Sequence, residues 1–203
     1  FICYIFPRRL QRDQFTICTA VVDGRGELAA FYDKWHVCST GVCCEKDYFV
    51  AGRGPLNSFE VKGAKVGLAI CYDIRFPEMI RKLALEEHIA LLLHPGGWPK
   101  DECFYSWHTF VQTRAMENQI YIMSTNWAGL NNGRSAFCPP FVGDGKDSIA
   151  GDAGFDQAAG VYELHLGQGG VISGTVTSSQ SGEPLLGVLV RARDSAGYYR
   201  GSD

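Results

Sequence analysis

The sequence predicts an α/β fold, and three observations carry that expectation. Short apolar runs rich in β-formers recur at residues 65–71, 89–94 and 119–125. Amphipathic stretches separate them, at about 76–87 and 102–118. The run at 65–71 is apolar at nearly every position, as in a strand covered on both faces. Strand, helix, strand, helix, strand in that order implies βαβ units.

Each element follows from local chemistry. Residues 16–22 are β-rich and end in Asp23-Gly24-Arg25-Gly26, a hairpin signal, from which 27–32 returns. Residues 59–61 and 65–71 flank Lys62-Gly63-Ala64, a second tight turn. Phe76-Pro77-Glu78 opens a helix, with Pro near its first turn and a carboxylate where the helix dipole favours one. The strand at 89–94 stops at Pro95-Gly96-Gly97. In the next helix Phe104, Trp107, Val111 and Ala115 form one apolar stripe, and 119–125 is the third buried strand. Residues 141–155, rich in Gly and Asp, read as a long loop before a strand at 160–166. The expected division is a main domain over 1–166, a Gly-rich linker at 167–170 and a β-rich hairpin segment over 171–203.

Composition excludes several function classes. Of 203 residues, 46% are hydrophobic and 20% charged, ordinary for a globular protein large enough for a sizeable core. The net charge of −3, without a Lys/Arg cluster among aromatics, argues against a nucleic-acid partner. No apolar run approaches the length of a membrane span. In FICYIFPRRL the charges follow the apolar part, so the start does not read as a signal peptide. The eight cysteines are irregularly spaced and form no zinc pattern, which favours reduced thiols and a cytoplasmic setting.

The chemistry centres on GLAICYDIRFPE, residues 67–78. By itself, a thiol closing an apolar strand reads first as a small buried core residue. The carboxyl end of a strand is nonetheless where α/β folds expose reactive groups, and turn N–H groups there can stabilise an oxyanion. A thiol attacking an amide also needs a base to take its proton and pass it to the leaving amine.

The segment resembles the nucleophile block of the nitrilase superfamily, the carbon–nitrogen hydrolases. FYDKWH at 31–36 is similar to the family's lysine motif, and CCEKDYFVAG at 43–52 to its auxiliary-glutamate segment. LLLHPGGW at 91–98, TRAMENQIYIMSTNWAG at 113–129 and GRSAF at 133–137 match later blocks in the family's order. The resemblance implies a four-layer αββα sandwich, a homo-oligomer, and no metal or organic cofactor. It also implies a cysteine nucleophile at Cys71, a catalytic lysine at Lys34 and, in Glu45, a carboxylate that orients the lysine and the substrate or water. The Lys34 ammonium and the Tyr72 N–H are the implied oxyanion donors, while Trp98, Asn126 and Trp127 are candidate pocket residues. Tyr72-Asp73 after the cysteine, where true nitrilases carry Trp-Glu, points to the amidase-like branch and a small amide or N-carbamoyl substrate.

The family's first glutamate has no counterpart. Glu27 precedes Lys34 but follows a hairpin turn and lacks the surrounding motif. A fragment, an incomplete sequence and a non-catalytic relative all remain open. Residue-by-residue alternatives also stand: Asp33-Lys34 as a solvated pair, Glu45 as loop charge, and Arg75 paired with Glu78 within the turn. His36, His94 and His108 read as structural, with a Cys71–His dyad as the fallback mechanism. The tail resembles the opening strands of a carboxypeptidase-regulatory-like β-sandwich over about 30 residues, too few for such a domain to close. That resemblance keeps an extracellular setting, and a binding or structural role, among the alternatives.

Overall fold

The computed structural model describes residues 1–41, 43–127 and 133–141, together with two-residue strands at 151–152, 165–166 and 172–173. β1 (Ile2–Gln11), β2 (Gln14–Val22) and β3 (Leu28–Asp33) form an antiparallel sheet in that order. A second sheet of six strands contains β4 (Ser58–Val61), β5 (Ala64–Leu68), β6 (Leu91–Pro95), β7 (Tyr121–Thr125), β8 (Ala136–Cys138) and β9 (Gly151–Asp152). Its centre, β5-β6-β7, is parallel, with α1 (Pro77–Leu85) and α2 (Phe104–Asn118) as the crossovers. β4 and β8 flank that centre antiparallel. The expected βαβ units are therefore present.

The local reasons are visible in the backbone. Lys62 and Gly63 both adopt positive φ, 49° and 83°, the two left-handed residues of a tight hairpin between β4 and β5. Asp23 closes the β2–β3 turn by accepting from the Arg25 and Glu27 N–H groups at 2.8 and 3.0 Å. α1 begins at Pro77 with Glu78 in its first turn. One core cluster joins Val21 and Tyr32 of the small sheet, Leu68, Leu92 and Ile122 of the large one, and Leu83, Trp107 and Val111 of the helices. Helix, sheet and sheet thus pack as successive layers. Among the described residues no helix covers the outer face of the small sheet, where Tyr4 and Phe31 are exposed.

Three features depart from the sequence reading. β1 was not anticipated, because Pro7 in its middle cannot donate to a ladder. The strand accommodates it by lying at the sheet edge, paired with β2 alone. β5 ends at Leu68 instead of running to Cys71, since the chain turns into a short 3₁₀ segment, Cys71–Arg75. β9 falls inside the stretch expected to be loop, and pairs with β8.

β10 (His165–Leu166) pairs antiparallel with β11 (Ile172–Ser173), and the expected linker at 167–170 lies outside the described residues. The remainder of the expected C-terminal segment, 174–203, lies outside the described residues. No helix among the described residues is long and apolar enough to cross a membrane.

Candidate active site

Cys71 opens the turn between β5 and α1 with φ of +48°, a left-handed conformation that non-glycine residues adopt at a cost of about 1–3 kcal/mol. The thiol is half-buried, its Sγ 4.0 Å from the Gly97 carbonyl oxygen. Burial pushes its pKa above the ordinary thiol value, and the Lys34 ammonium opposes that rise. The resting group is therefore a protonated thiol at neutral pH. Gly96 leaves the room it needs: a Cβ there would stand 3.1 Å from both Cys71 Cα and Cys71 Cβ.

Lys34, just beyond β3, is fully buried. Its Nζ donates to both Glu45 oxygens, at 2.7 and 2.6 Å, and Glu45 Oε2 also accepts from the Cys38 N–H at 2.7 Å. A buried ammonium requires such a partner, and here the carboxylate comes from a short 3₁₀ turn, Glu45–Asp47. Asp33 is occupied elsewhere, gripped by Arg8 of β1 through two hydrogen bonds. The solvated Asp33-Lys34 pair is accordingly wrong. Glu45 is not idle loop charge either. Gly52 holds the backbone beside them, donating to the Lys34 carbonyl at 2.7 Å, and a Cβ on it would stand 2.6 Å from Asp33 Cβ.

The candidate pocket residues divide. Trp98 is buried and stacked on Trp107, ring centroids 5.9 Å apart. Asn126 spends its amide on backbone: Oδ1 accepts from the Trp98 and Trp127 N–H groups, and Nδ2 donates to the Trp98 and Gly133 carbonyls. Trp127 is 67% exposed.

The Arg75–Glu78 pair does not form. Arg75 lies over the rings of Phe110, Tyr72 and Trp98 and donates to Ser106 Oγ at 3.2 Å, while Glu78 is exposed. The fallback Cys71–His dyad finds no support. His36 Nδ1 bonds Asp73 at 2.8 Å, His108 Nε2 donates to the Arg134 carbonyl, and His94 Nε2 meets the Cys71 carbonyl oxygen instead of the sulfur.

Sequence reasoning missed what holds the turn. Asp73 is fully buried and accepts from the Tyr32 hydroxyl (2.9 Å), the Ile70 N–H (3.0 Å), and the His36 N–H and ring, joining the lysine loop to the cysteine turn. Arg114 donates to the Ile74 and Arg75 carbonyls from α2. A signal was present, because Arg114 and Asn118 continue the Trp107 and Val111 spacing, and polar residues on a buried stripe need a reason.

A cavity of about 640 Å³, lined by Arg8, Gln14, Asp33, Gly52 and Arg53 among others, backs onto the Lys34 region without including Cys71. Among the described residues no group of three or more His, Cys, Asp or Glu side chains is placed to hold a metal.

A mixed α/β fold bringing a strand-end thiol near a buried lysine–glutamate pair is the architecture of a nitrilase-type hydrolase. The chain belongs to the carbon-nitrogen hydrolase family, whose model matches residues 1–157. It is 31% identical over 120 residues to the deaminated glutathione amidase of Rattus norvegicus, covering 57% of this chain and 36% of the relative. Among solved structures it is similar to a variant of the amidase from Nesterenkonia sp. AN1 showing Michael addition of acrylamide at the active-site cysteine. That match has a TM-score of 0.65 and 28% identity, covering 76% of this chain and 59% of the other. A variant of the same amidase in complex with butyramide matches with the same TM-score and identity, over 76% and 57% of the two chains. The chain therefore spans well under two thirds of the length of these relatives.

Proposed function

We propose that this chain cleaves the C–N bond of small amides, N-carbamoyl compounds included, through an acyl-thioester on Cys71. The observation that carries the reading is a thiol held in a strained left-handed turn near a buried lysine whose charge Glu45 neutralises. In the first half-reaction the sulfur attacks the carbonyl carbon. The C–N bond breaks, and the proton released by the thiol leaves with ammonia or the amine. Water then adds to the thioester, releases the carboxylic acid and returns a proton to the sulfur. Lys34 and the Tyr72 N–H stabilise the oxyanion in both steps.

Because burial holds the thiol protonated, a base must remove that proton. Both Glu45 oxygens are committed to Lys34, and Glu27 is exposed on the β2–β3 hairpin beside Arg25. That observation favours, as a second reading, a nitrilase-like chain that binds amides without turning them over.

Butyramide with hydroxylamine separates the two. Butyrohydroxamate formed by the 203-residue chain and absent with Cys71→Ala supports the proposal. Binding of butyramide without hydroxamate would overturn it in favour of the second reading.

A further inference from the structure

We infer that His94 is a positioning residue that aims the oxyanion-stabilising N–H of Tyr72, through a buried hydrogen-bond chain running from Trp107 and Ser124 to the Cys71 carbonyl. The inference rests on the reading of Cys71 as the nucleophile.

The chain has three links: Trp107 Nε1 to Ser124 Oγ at 2.8 Å, Ser124 Oγ to His94 Nδ1 at 2.7 Å, and His94 Nε2 to the Cys71 oxygen at 2.8 Å. Its direction is fixed at both ends. An indole N–H can only donate and a carbonyl oxygen can only accept. Ser124 therefore accepts from Trp107 and gives its own hydrogen to Nδ1, which leaves Nε2 as the protonated nitrogen that donates to Cys71. Trp107, Ser124 and His94 are all essentially inaccessible to solvent, so no water competes for these bonds. Burial also lowers the His94 pKa to about 4, which keeps the ring neutral in this tautomer.

The consequence lies in the next peptide unit. The Cys71 carbonyl and the Tyr72 N–H belong to one trans peptide plane and point in opposite directions. Holding the oxygen toward His94 turns the N–H away from it, and the left-handed φ of Cys71 needs this restraint to persist. The anchors sit on β6, β7 and α2, so a carbonyl in the turn is tied to three rigid elements. Gly96 on the same side admits the backbone that closely.

The test compares His94→Leu, His94→Gln and Ser124→Ala in the 203-residue chain, with Cys71→Ala as blank. Acylation by p-nitrophenyl butyrate builds an oxyanion, whereas alkylation by iodoacetamide does not. Expected for His94→Leu is a loss of about 10²-fold in kcat for acylation, with KM and the alkylation rate each within about threefold of the parent. His94→Gln, which retains an N–H donor, recovers most of the loss. Should His94→Leu fail to fold, Ser124→Ala carries the comparison, with an expected loss of about tenfold and the same split.

Equal acylation rates in the Leu and Gln variants, or acylation and alkylation falling in parallel, would overturn the inference. So would an ester that does not acylate Cys71. An activated ester needs no proton on its leaving group, so the test reads out even where butyramide is not turned over. Failure of the positioning role and failure of the amidase reading thus remain distinguishable.

Discussion

On the Cys71 side of the site, buried side chains hold the backbone itself: Asp73 binds Ile70 N–H, Arg114 binds two carbonyls, and His94 binds a third. On the Lys34 side the decisive contact lies between side chains, an ammonium and a carboxylate from a short turn. The difference matches what the proposed mechanism asks of each partner. A nucleophile needs one attack direction, which backbone restraint supplies. A charge that receives an oxyanion needs only to be present, oriented and neutralised at rest.

Substitutions should separate the two halves. The largest effect belongs to Asp73→Ala, which removes the acceptor of the Ile70 and His36 N–H groups and the carboxylate partner of the buried Tyr32 hydroxyl. A loss of about 4 kcal/mol in urea unfolding is expected. A loss below about 1 kcal/mol would mean that the backbone restraint is redundant.

Next comes pH. The native His94 pKa is near 4 against an ordinary 6.5, so between those values the unfolded chain binds a proton that the native one does not. Stability from this group is therefore intact above 6.5 and lost as pH falls toward 4, by roughly 3 kcal/mol. Unfolding curves across that window should be correspondingly flatter in His94→Gln. Parallel curves would place the titration elsewhere.

The smallest change in stability belongs to the charge pair. Glu45→Gln keeps an acceptor for Lys34 but removes the neutralising charge, at an expected cost of about 2 kcal/mol. Its signature is chemical: acylation of Cys71 falls by more than the stability loss explains. Unchanged acylation would reduce Glu45 to a structural partner.

The parts of this comparison were unequally legible in the sequence. The βαβ core could be read because nearly continuous apolar runs and a 3.6-residue stripe survive without tertiary information, as at 89–94 and at Trp107 and Val111. Cys71, Lys34 and Glu45 were singled out through motif resemblance, since residues scattered along the chain have no periodicity to betray them. The supports were not legible. His94 reaches a carbonyl 23 residues away and Ser124 reaches His94 across two parallel strands, and such pairings depend on sheet register. β1 was hidden by Pro7, which signals a break unless the strand is known to lie at an edge. The strand end before Cys71 was missed because apolarity and extended backbone continue through Ile70, while the paired ladder stops at Leu68.

The central claim, that Cys71 carries the acyl group of a small amide, is tested most directly by acid-quenching the chain during reaction with butyramide and mapping the modified peptide by mass spectrometry. The expected result is a butyryl group on Cys71 that is absent from Cys71→Ala. A chain that hydrolyses butyramide yet shows no acyl adduct, or carries it on a neighbouring thiol such as Cys38 or Cys43, would contradict the claim.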